Sequence, residues 1–227
     1  MRKAILTFAF GFVAIGIVLM SFSGCNHKNE DDSKKKKEYQ IKDEGPGGGI
    51  VFYFNKEGFK VYDGKGGEQV CHYLEMSKIS LGQSKWMPVP SGIGTEEGLG
   101  YGKANTYKIR NTIASSEILN KDITEDTCAE YAVRQYSTST TKPGDWWLPS
   151  KEELQLMYET VDDIVVNTTA ETEIEEGGEV SKELYAHYWT STEEDDTYVE
   201  YMDFQNGTWH DCKKDKYKNE VRAVRAF

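Results

Sequence analysis

A tryptophan pair running into a helix start constrains this chain more than any other phrase. In Gly144-Asp145-Trp146-Trp147-Leu148-Pro149-Ser150-Lys151-Glu152-Glu153-Leu154, Ser150 and Glu153 have the S-x-x-E spacing of a capping box. Each side chain there satisfies an orphan backbone N–H of the first helical turn. Pro149 holds the residue before it extended, so Trp146, Trp147 and Leu148 read as a buried strand end that turns into a helix. That helix is predicted over 151–159, with Leu154, Met157 and Tyr158 at helical spacing as its apolar face. A second phrase, Val221-Arg222-Ala223-Val224-Arg225-Ala226-Phe227, alternates like a strand with one covered and one partly open face. A strand in that position stays ordered only when tied into a sheet, so it is placed centrally, beside other strands.

The first residues read as an address. Arg2 and Lys3 supply a positive region, Ala4 to Phe22 is uncharged and mostly apolar, and small residues lead to a cysteine, the order of an export signal. Phe22-Ser23-Gly24-Cys25 resembles a bacterial lipobox, with phenylalanine where leucine is usual, which makes Cys25 the expected lipidation site. The alternative is a plain signal anchor, since about 18 apolar residues span a bilayer. Either way the chain is expected to be exported and held on a membrane, with the outer membrane or cell surface as its destination. Several acyl chains on one cysteine hold firmly where a single chain is marginal. Asn26 to Glu44 follows as a charged tether in which six lysines balance six acids and almost nothing apolar can be buried. The Lys34–Lys37 run within it is read as a solvated spacer.

The remaining stretch, Gly45 to Phe227, is long enough for one domain with a sizeable core. The formal charge of the chain is −11, and losing Arg2 and Lys3 takes it to −13. Such a charge argues against nucleic acid and anionic lipid as nonspecific partners. A basic protein or a cationic surface is easier to accommodate. Cys71, Cys128 and Cys212 are an odd number in an export compartment, so at least one thiol is free or shared between chains. No C-x-x-C pair supports a zinc or redox centre, and Cys128 falls in a helical pattern as a small core residue.

Short strands dominate the pattern from Gly45 onward. Ile50 to Phe54 is one strand, Phe59 to Tyr62 a return, and glycine-rich Asp63 to Gly67 turns the chain again before Val70 to Met76. Gly92 to Gly102 is a long glycine-rich loop. It is no phosphate-binding loop, because Glu97 stands where the first glycine belongs and Ala104 replaces the magnesium-binding hydroxyl. Helices are predicted over Lys103–Ala114 and Thr124–Tyr136, the second capped by Thr124 and burying Cys128, Ala129, Tyr131, Ala132 and Tyr136. Asp162 to Glu183 crowds glutamates around Gly177-Gly178 and reads as a loose surface loop without EF-hand spacing. Tyr188–Thr192, Tyr198–Phe204, Thr208–Lys213 and Val221–Phe227 complete the strands, with Asn206-Gly207 as the strongest hairpin signal.

Five phrases, taken in order, resemble the Lcl C-terminal-like domain family. They are Gly45 to Tyr53, Gly100-Tyr101-Gly102-Lys103-Ala104-Asn105-Thr106, Asp145 to Leu154, Tyr188-Trp189-Thr190-Ser191-Thr192 and Val221 to Phe227. The resemblance implies an α+β domain with a C-type-lectin-like fold: small antiparallel sheets, two or three flanking helices and long loops. The family includes spirochaete lipoproteins and is similar to the variable proteins of diversity-generating retroelements, in which the last strands and loops contact ligand. Carried to this chain, the implied binding stretch lies between Thr192 and Glu220, with Asp195, Asp196, Tyr198, Tyr201, Asn206, Thr208, Trp209, His210 and Asp211 as candidates. Tyrosine and tryptophan give large contact area with little rotamer entropy to lose, although Tyr201 or Trp209 packing in the core is the competing reading. Trp189 is assigned to the core, and Arg222 and Arg225 to structural pairing with acids. Adenine-directed mutation of AAY codons cannot yield Trp or Glu, so Trp209, Glu193, Glu194 and Glu200 would be fixed in any diversified copy.

The implied partner is a protein or glycan ligand, together with the membrane through the lipid anchor. The Glu-Pro-Asn, Gln-Pro-Asp and Trp-Asn-Asp tripeptides of calcium-dependent sugar binding are missing from the sequence. No cofactor, metal or catalytic residue is assigned. Formylglycine-generating enzymes share the fold class, but they use a reactive cysteine pair late in the chain where this sequence has Cys212 alone. His27, His72, His187 and His210 form no close metal pair, no G-x-S-x-G elbow occurs, and acid pairs such as Glu193 and Asp195 need not converge. The remaining alternative is a structural envelope lipoprotein without a specific ligand.

Overall fold

The computed structural model describes residues 37–116, 123–160 and 186–227. The export signal with Cys25, most of the tether and the glutamate-rich stretch from Asp162 to Glu183 lie outside the described residues. The chain divides into two units, Met1–Lys37 and Glu38–Phe227. The second unit takes in residues that composition assigns to the tether. Tyr39 packs edge-on against Tyr73 and Phe227, with ring centroids 5.6 and 5.1 Å away. The Lys42 N–H donates to the Val51 carbonyl at 2.8 Å, and the Val51 N–H to the Asp43 carbonyl at 2.9 Å. One aromatic in a polar run is enough to begin the fold early.

The described part of this unit is α+β. It holds strands β1 (Ile50–Tyr62), β2 (Glu68–Met76), β3 (Gln83–Ser84), β4 (His187–Glu193), β5 (Tyr198–Asp203), β6 (Thr208–Lys213), β7 (Asn219–Glu220) and β8 (Val224–Ala226). Its helices are α1 (Gly102–Ser115), α2 (Ala129–Gln135) and α3 (Lys151–Glu159). One sheet has the order β1-β2-β8 and the other β3-β7-β4-β5-β6. All pairings are antiparallel except the single parallel bridge of β4 with β7.

Two apolar cores form, and consecutive residues of extended segments supply both. Trp147, Tyr188, Met202 and Val224 enter the core against α3, while Trp146, Leu148, Trp189, Val199 and Ala223 enter the core against α1 and α2. Successive side chains of a strand point to opposite faces, so each Trp-Trp or Tyr-Trp pair is divided between the two cores. Burying a tryptophan removes 150–250 Å² from water, roughly 4–6 kcal/mol of gross transfer free energy each. The buried indoles also find acceptors: Trp189 Nε1 donates to the Ser84 carbonyl and Trp86 Nε1 to the Thr190 carbonyl, both at 2.7 Å.

The helix after the tryptophans spans the predicted residues, and both halves of the Ser150/Glu153 capping box are formed. Three other expectations are corrected. Phe59–Tyr62 does not return from Ile50–Phe54: β1 is one strand with a bulge, since Phe54 pairs with Tyr73 and Phe59 with Cys71. Asn55 Oδ1 accepts the Glu57 N–H there, a local turn that interrupts the ladder without reversing the chain. The second helix begins at Ala129 rather than Thr124, because the Lys85 N–H donates to the Asp126 carbonyl and the Ala129 N–H to the Lys85 carbonyl. These tertiary bonds draw Cys128 into an extended conformation (φ −151°), and Thr124 closes a separate turn with Thr127. The closing strand is regular only over Val224–Ala226 and pairs with β2 on one side, while a Trp147–Val224 bridge covers its other edge.

The closing arginines divide. Arg225 pairs with Glu75 at 2.5 Å, as an acid-bound structural arginine. Among the described residues Arg222 meets no carboxylate: it donates to Tyr188 Oη and to the Ser77 carbonyl, each at 3.0 Å, with its guanidinium over the Tyr188 ring. Residues 221–223 run beside 77–82, which offers carbonyls in place of acids.

Candidate functional site

The pairing of β5 with β6 sorts the candidate residues onto two faces. Tyr201 is opposite His210, Val199 opposite Cys212 and Asp203 opposite Thr208, while Met202 is opposite Trp209 and Glu200 opposite Asp211. Cross-strand partners share a face, so Tyr201 and His210 stand together and Trp209 points the other way.

On the first face three rings lie side by side. His210 stacks on Tyr201 at 5.3 Å, and His187, contributed by β4, tilts against the other side of Tyr201 at 5.4 Å. Trp189 meets Tyr201 edge-on at 5.9 Å and fixes its depth. The His187 Nε2 lies 3.7 Å from Asp203 Oδ2, and the His210 Nε2 shares a hydrogen bond with Thr208 Oγ1 at 2.8 Å. Beside this row opens a cleft of about 770 Å³, lined by His187, Tyr198, Tyr201, Asp211, Cys212 and Lys213 and by Lys216 to Asn219. Tyr217 is 59% exposed on its rim. Lys216 pairs with Asp215 at 2.8 Å and Lys218 with Asp126, which leaves the cleft mixed in charge. Asn219 is 7% exposed, and its Nδ2 has no hydrogen-bond partner among the described residues. A buried unpaired amide costs about 1–3 kcal/mol, a penalty that a ligand acceptor relieves. Burial pushes the Cys212 thiol up to about 12, which suits a packing role.

The other face carries Trp209, half-buried against α3. Its Nε1 donates to Gln155 Oε1 at 3.2 Å and its ring lies 5.4 Å from Lys151 Nζ. Lys151 in turn holds Glu200 at 2.5 Å, and burial raises the Glu200 carboxyl against that pull. Trp209 therefore combines both readings of it: part of the ring packs on the core and part lines a separate shallow groove with Glu97, Gly98 and Glu152.

The loop candidates mainly shape turns. Asp195 Oδ1 accepts the N–H groups of Thr197 and Tyr198 at 2.6 and 2.7 Å, and these hold its carboxyl below the ordinary range. Asp196 lies exposed in the same turn, against Gly92. Asn206 Oδ1 accepts from Thr208 N and Oγ1 at 2.9 and 2.6 Å in the β5–β6 hairpin. The candidates thus divide among the cleft, the groove and two turns. His187, Cys212, Lys213 and Lys216 to Asn219 line the cleft beyond the assigned set. A lysine-rich turn reads as solvated surface in sequence, and only Tyr217 within it signals a contact residue.

Buried charge fixes the long loop beside this sheet. Lys214 is fully buried, and its Nζ donates to the Ser91 carbonyl and to Glu193 Oε2, both at 2.9 Å. Glu193 Oε1 accepts the N–H groups of Ile93 and Gly94 at 2.9 and 2.8 Å. Further along, Asn105 brackets Glu96 through its N–H and carbonyl, and Ser150 Oγ donates to the Gly98 carbonyl. The loop ends at Gly100, whose φ of +86° and approach to the Lys60 carbonyl, 1.8 Å from where a Cβ would sit, admit only glycine.

No family model matches the chain, and no curated protein sequence matches it. Among the described residues no group of three or more His, Cys, Asp or Glu is placed to hold a metal ion.

Proposed function

We propose that this chain is an exported lipoprotein, acylated at Cys25, whose C-type-lectin-like domain captures a protein or glycan ligand in adhesion or ligand uptake. The cleft beside β5 and β6 is the binding face. The observation that carries this reading is the meeting of His187 and Tyr201, two rings of the aromatic row, with the exposed Tyr217 and the Asn219 amide, unpaired among the described residues, in one open cleft. Rings give contact area at low entropic cost, and polar groups converging beside them fix the orientation of a ligand. The sheet order β1-β2-β8, which places the first and last described strands in one sheet on either side of β2, and the pinned loop from Gly92 to Gly102 support the lectin-like part.

The domain Glu38–Phe227 is to be screened against arrayed glycans, matrix proteins and cell extracts. His187→Ala and Tyr217→Ala, both on the cleft lining, should each weaken a binder by about tenfold or more, a loss of about 1.4 kcal/mol. Trp209→Ala, on the opposite face, should leave it bound. Absence of any binder across the panel would favour a structural envelope role. Loss of acyl labelling in Cys25→Ser tests the anchor.

A further inference from the structure

A smaller cavity of about 210 Å³ lies at the first turns of α1, lined by Asp63, Lys65, Lys103, Tyr107, Arg110 and Trp147 among others. It shares no lining residue with the cleft beside β5 and β6. Three cations face it in a domain whose overall charge is strongly negative. Aromatic rings position two of them. Lys65 Nζ stands 4.9 Å from the centre of the Tyr107 ring, and Lys103 Nζ 5.6 Å from that of Trp147. A ring face attracts an ammonium through its quadrupole but carries no net charge, so it fixes the cation without neutralising it. Neither lysine has a carboxylate within salt-bridge distance among the described residues, whereas Lys60, Lys78, Lys216 and Lys218 each have one.

Arg110 completes the group. Its Nε is bound to Glu130 at 2.7 Å, which orients the guanidinium and leaves its two terminal nitrogens without a partner among the described residues. Glu130 is itself shared with Arg134 at 3.3 Å, so the carboxylate behind the cavity is already matched by two guanidinium groups. Asp63 is the acid on the lining. Its Oδ1 is occupied by the N–H groups of Lys65 and Gly67 at 2.7 and 2.9 Å. These bonds, and secondarily the charges of Lys103 and Lys65, keep its carboxyl below the ordinary range.

We infer that this cavity binds a small tetrahedral oxyanion, a phosphate or sulfate group, held by Lys65, Lys103 and the free fork of Arg110. Guanidinium and ammonium donors are the groups that recognise such oxygens. At about 30 Å³ per water, the cavity holds one such ion together with several waters, and its mouth leaves room for the group to be an ester on a larger molecule.

The test titrates the purified full-length chain in nonionic detergent by calorimetry with inorganic phosphate, sulfate and glycerol 3-phosphate, using chloride at matched ionic strength as control. Saturable binding with a Kd on the order of 1 mM is expected, an affinity of about 4 kcal/mol. Lys65→Glu and Lys103→Ala should each weaken it about tenfold or more, while Lys78→Glu, a lysine paired with Glu44 elsewhere on the surface, should not. Tighter binding of glycerol 3-phosphate than of either free ion would identify a phosphate ester, including a lipid headgroup, as the source. Stronger binding of inorganic phosphate or sulfate would identify the free ion. Heats no larger than those of chloride, or unchanged affinity in both lysine variants, would overturn the inference. Neither result depends on whether the aromatic cleft binds a ligand.

Discussion

Glu153 offers the sharpest test of how this fold is held. It caps α3, yet it is fully buried, and its carboxylate accepts the Gly100 N–H at 3.0 Å, the Ser150 N–H at 3.1 Å and the Trp147 indole at 3.2 Å. Loss of water around it raises the carboxyl from 4.5 to about 7, against the N–H donors that favour the charged form. An unfolded glutamate loses its proton near 4.5, so between there and about pH 7 the native state binds more protons than the unfolded one. Stability contributed by this residue is therefore complete below 4.5 and is lost as pH rises through about 7. The change in proton affinity is roughly 300-fold, or about 3 kcal/mol, a large share of the 5–15 kcal/mol that holds an ordinary domain. Urea unfolding of the wild type and of Glu153→Gln, each at pH 4.5, 6 and 8, isolates the effect, because every other titrating group cancels in the difference. The wild type should lose about 3 kcal/mol relative to the variant over that range. A difference that does not change with pH would mean that the three donors outweigh burial, and the reasoning would fail.

Three further outcomes follow from buried groups. Lys214→Met should cost about 3–5 kcal/mol, the range for breaking a buried pair, and should raise amide hydrogen exchange at Ile93 and Gly94; unchanged exchange there would show that Glu193 holds the loop alone. Glu75 accepts Gly47 N, Gly49 N and Arg225 while fully buried, so Glu75→Ala should lower stability by about 3–5 kcal/mol, and a denaturation midpoint close to wild type would contradict it. Cys71, Cys128 and Cys212 are buried free thiols, and burial pushes Cys128 and Cys212 up to about 12. A thiol reagent at pH 8 should leave all three unmodified until denaturant is added, and rapid labelling of the native chain would refute their burial.

Local chemistry was legible without coordinates. The Ser150/Glu153 box joins groups three residues apart, so its spacing alone places the start of α3. The division of Trp146 from Trp147 and of Tyr188 from Trp189 between two cores follows from the two-residue period of an extended chain. The Thr208–Lys213 strand and the hairpin before it were equally readable, because residues within five positions of each other, Asp203 to Thr208, make the bonds that close that turn. The candidate site was legible in part: Tyr201 and His210 are two of the assigned residues, but their sharing a face with His187 depends on the register of three strands.

What the tertiary structure decided is where distant segments compete with local preference. Lys85, far from Thr124 in the chain, shortens α2 by taking the backbone groups of Asp126 and Ala129. Pairing with β2 turns an apparent hairpin at Asn55–Gly58 into a bulge. Burial makes Glu153 both a helix cap and a titrating group near neutral pH, and it leaves Arg222 bonded to a phenol and a carbonyl where composition suggested an acid. Sequence specifies the interactions a residue can make with near neighbours, since their geometry is set by the backbone. Which far partner it meets, and how dry that meeting is, is fixed only when the whole chain has closed around it.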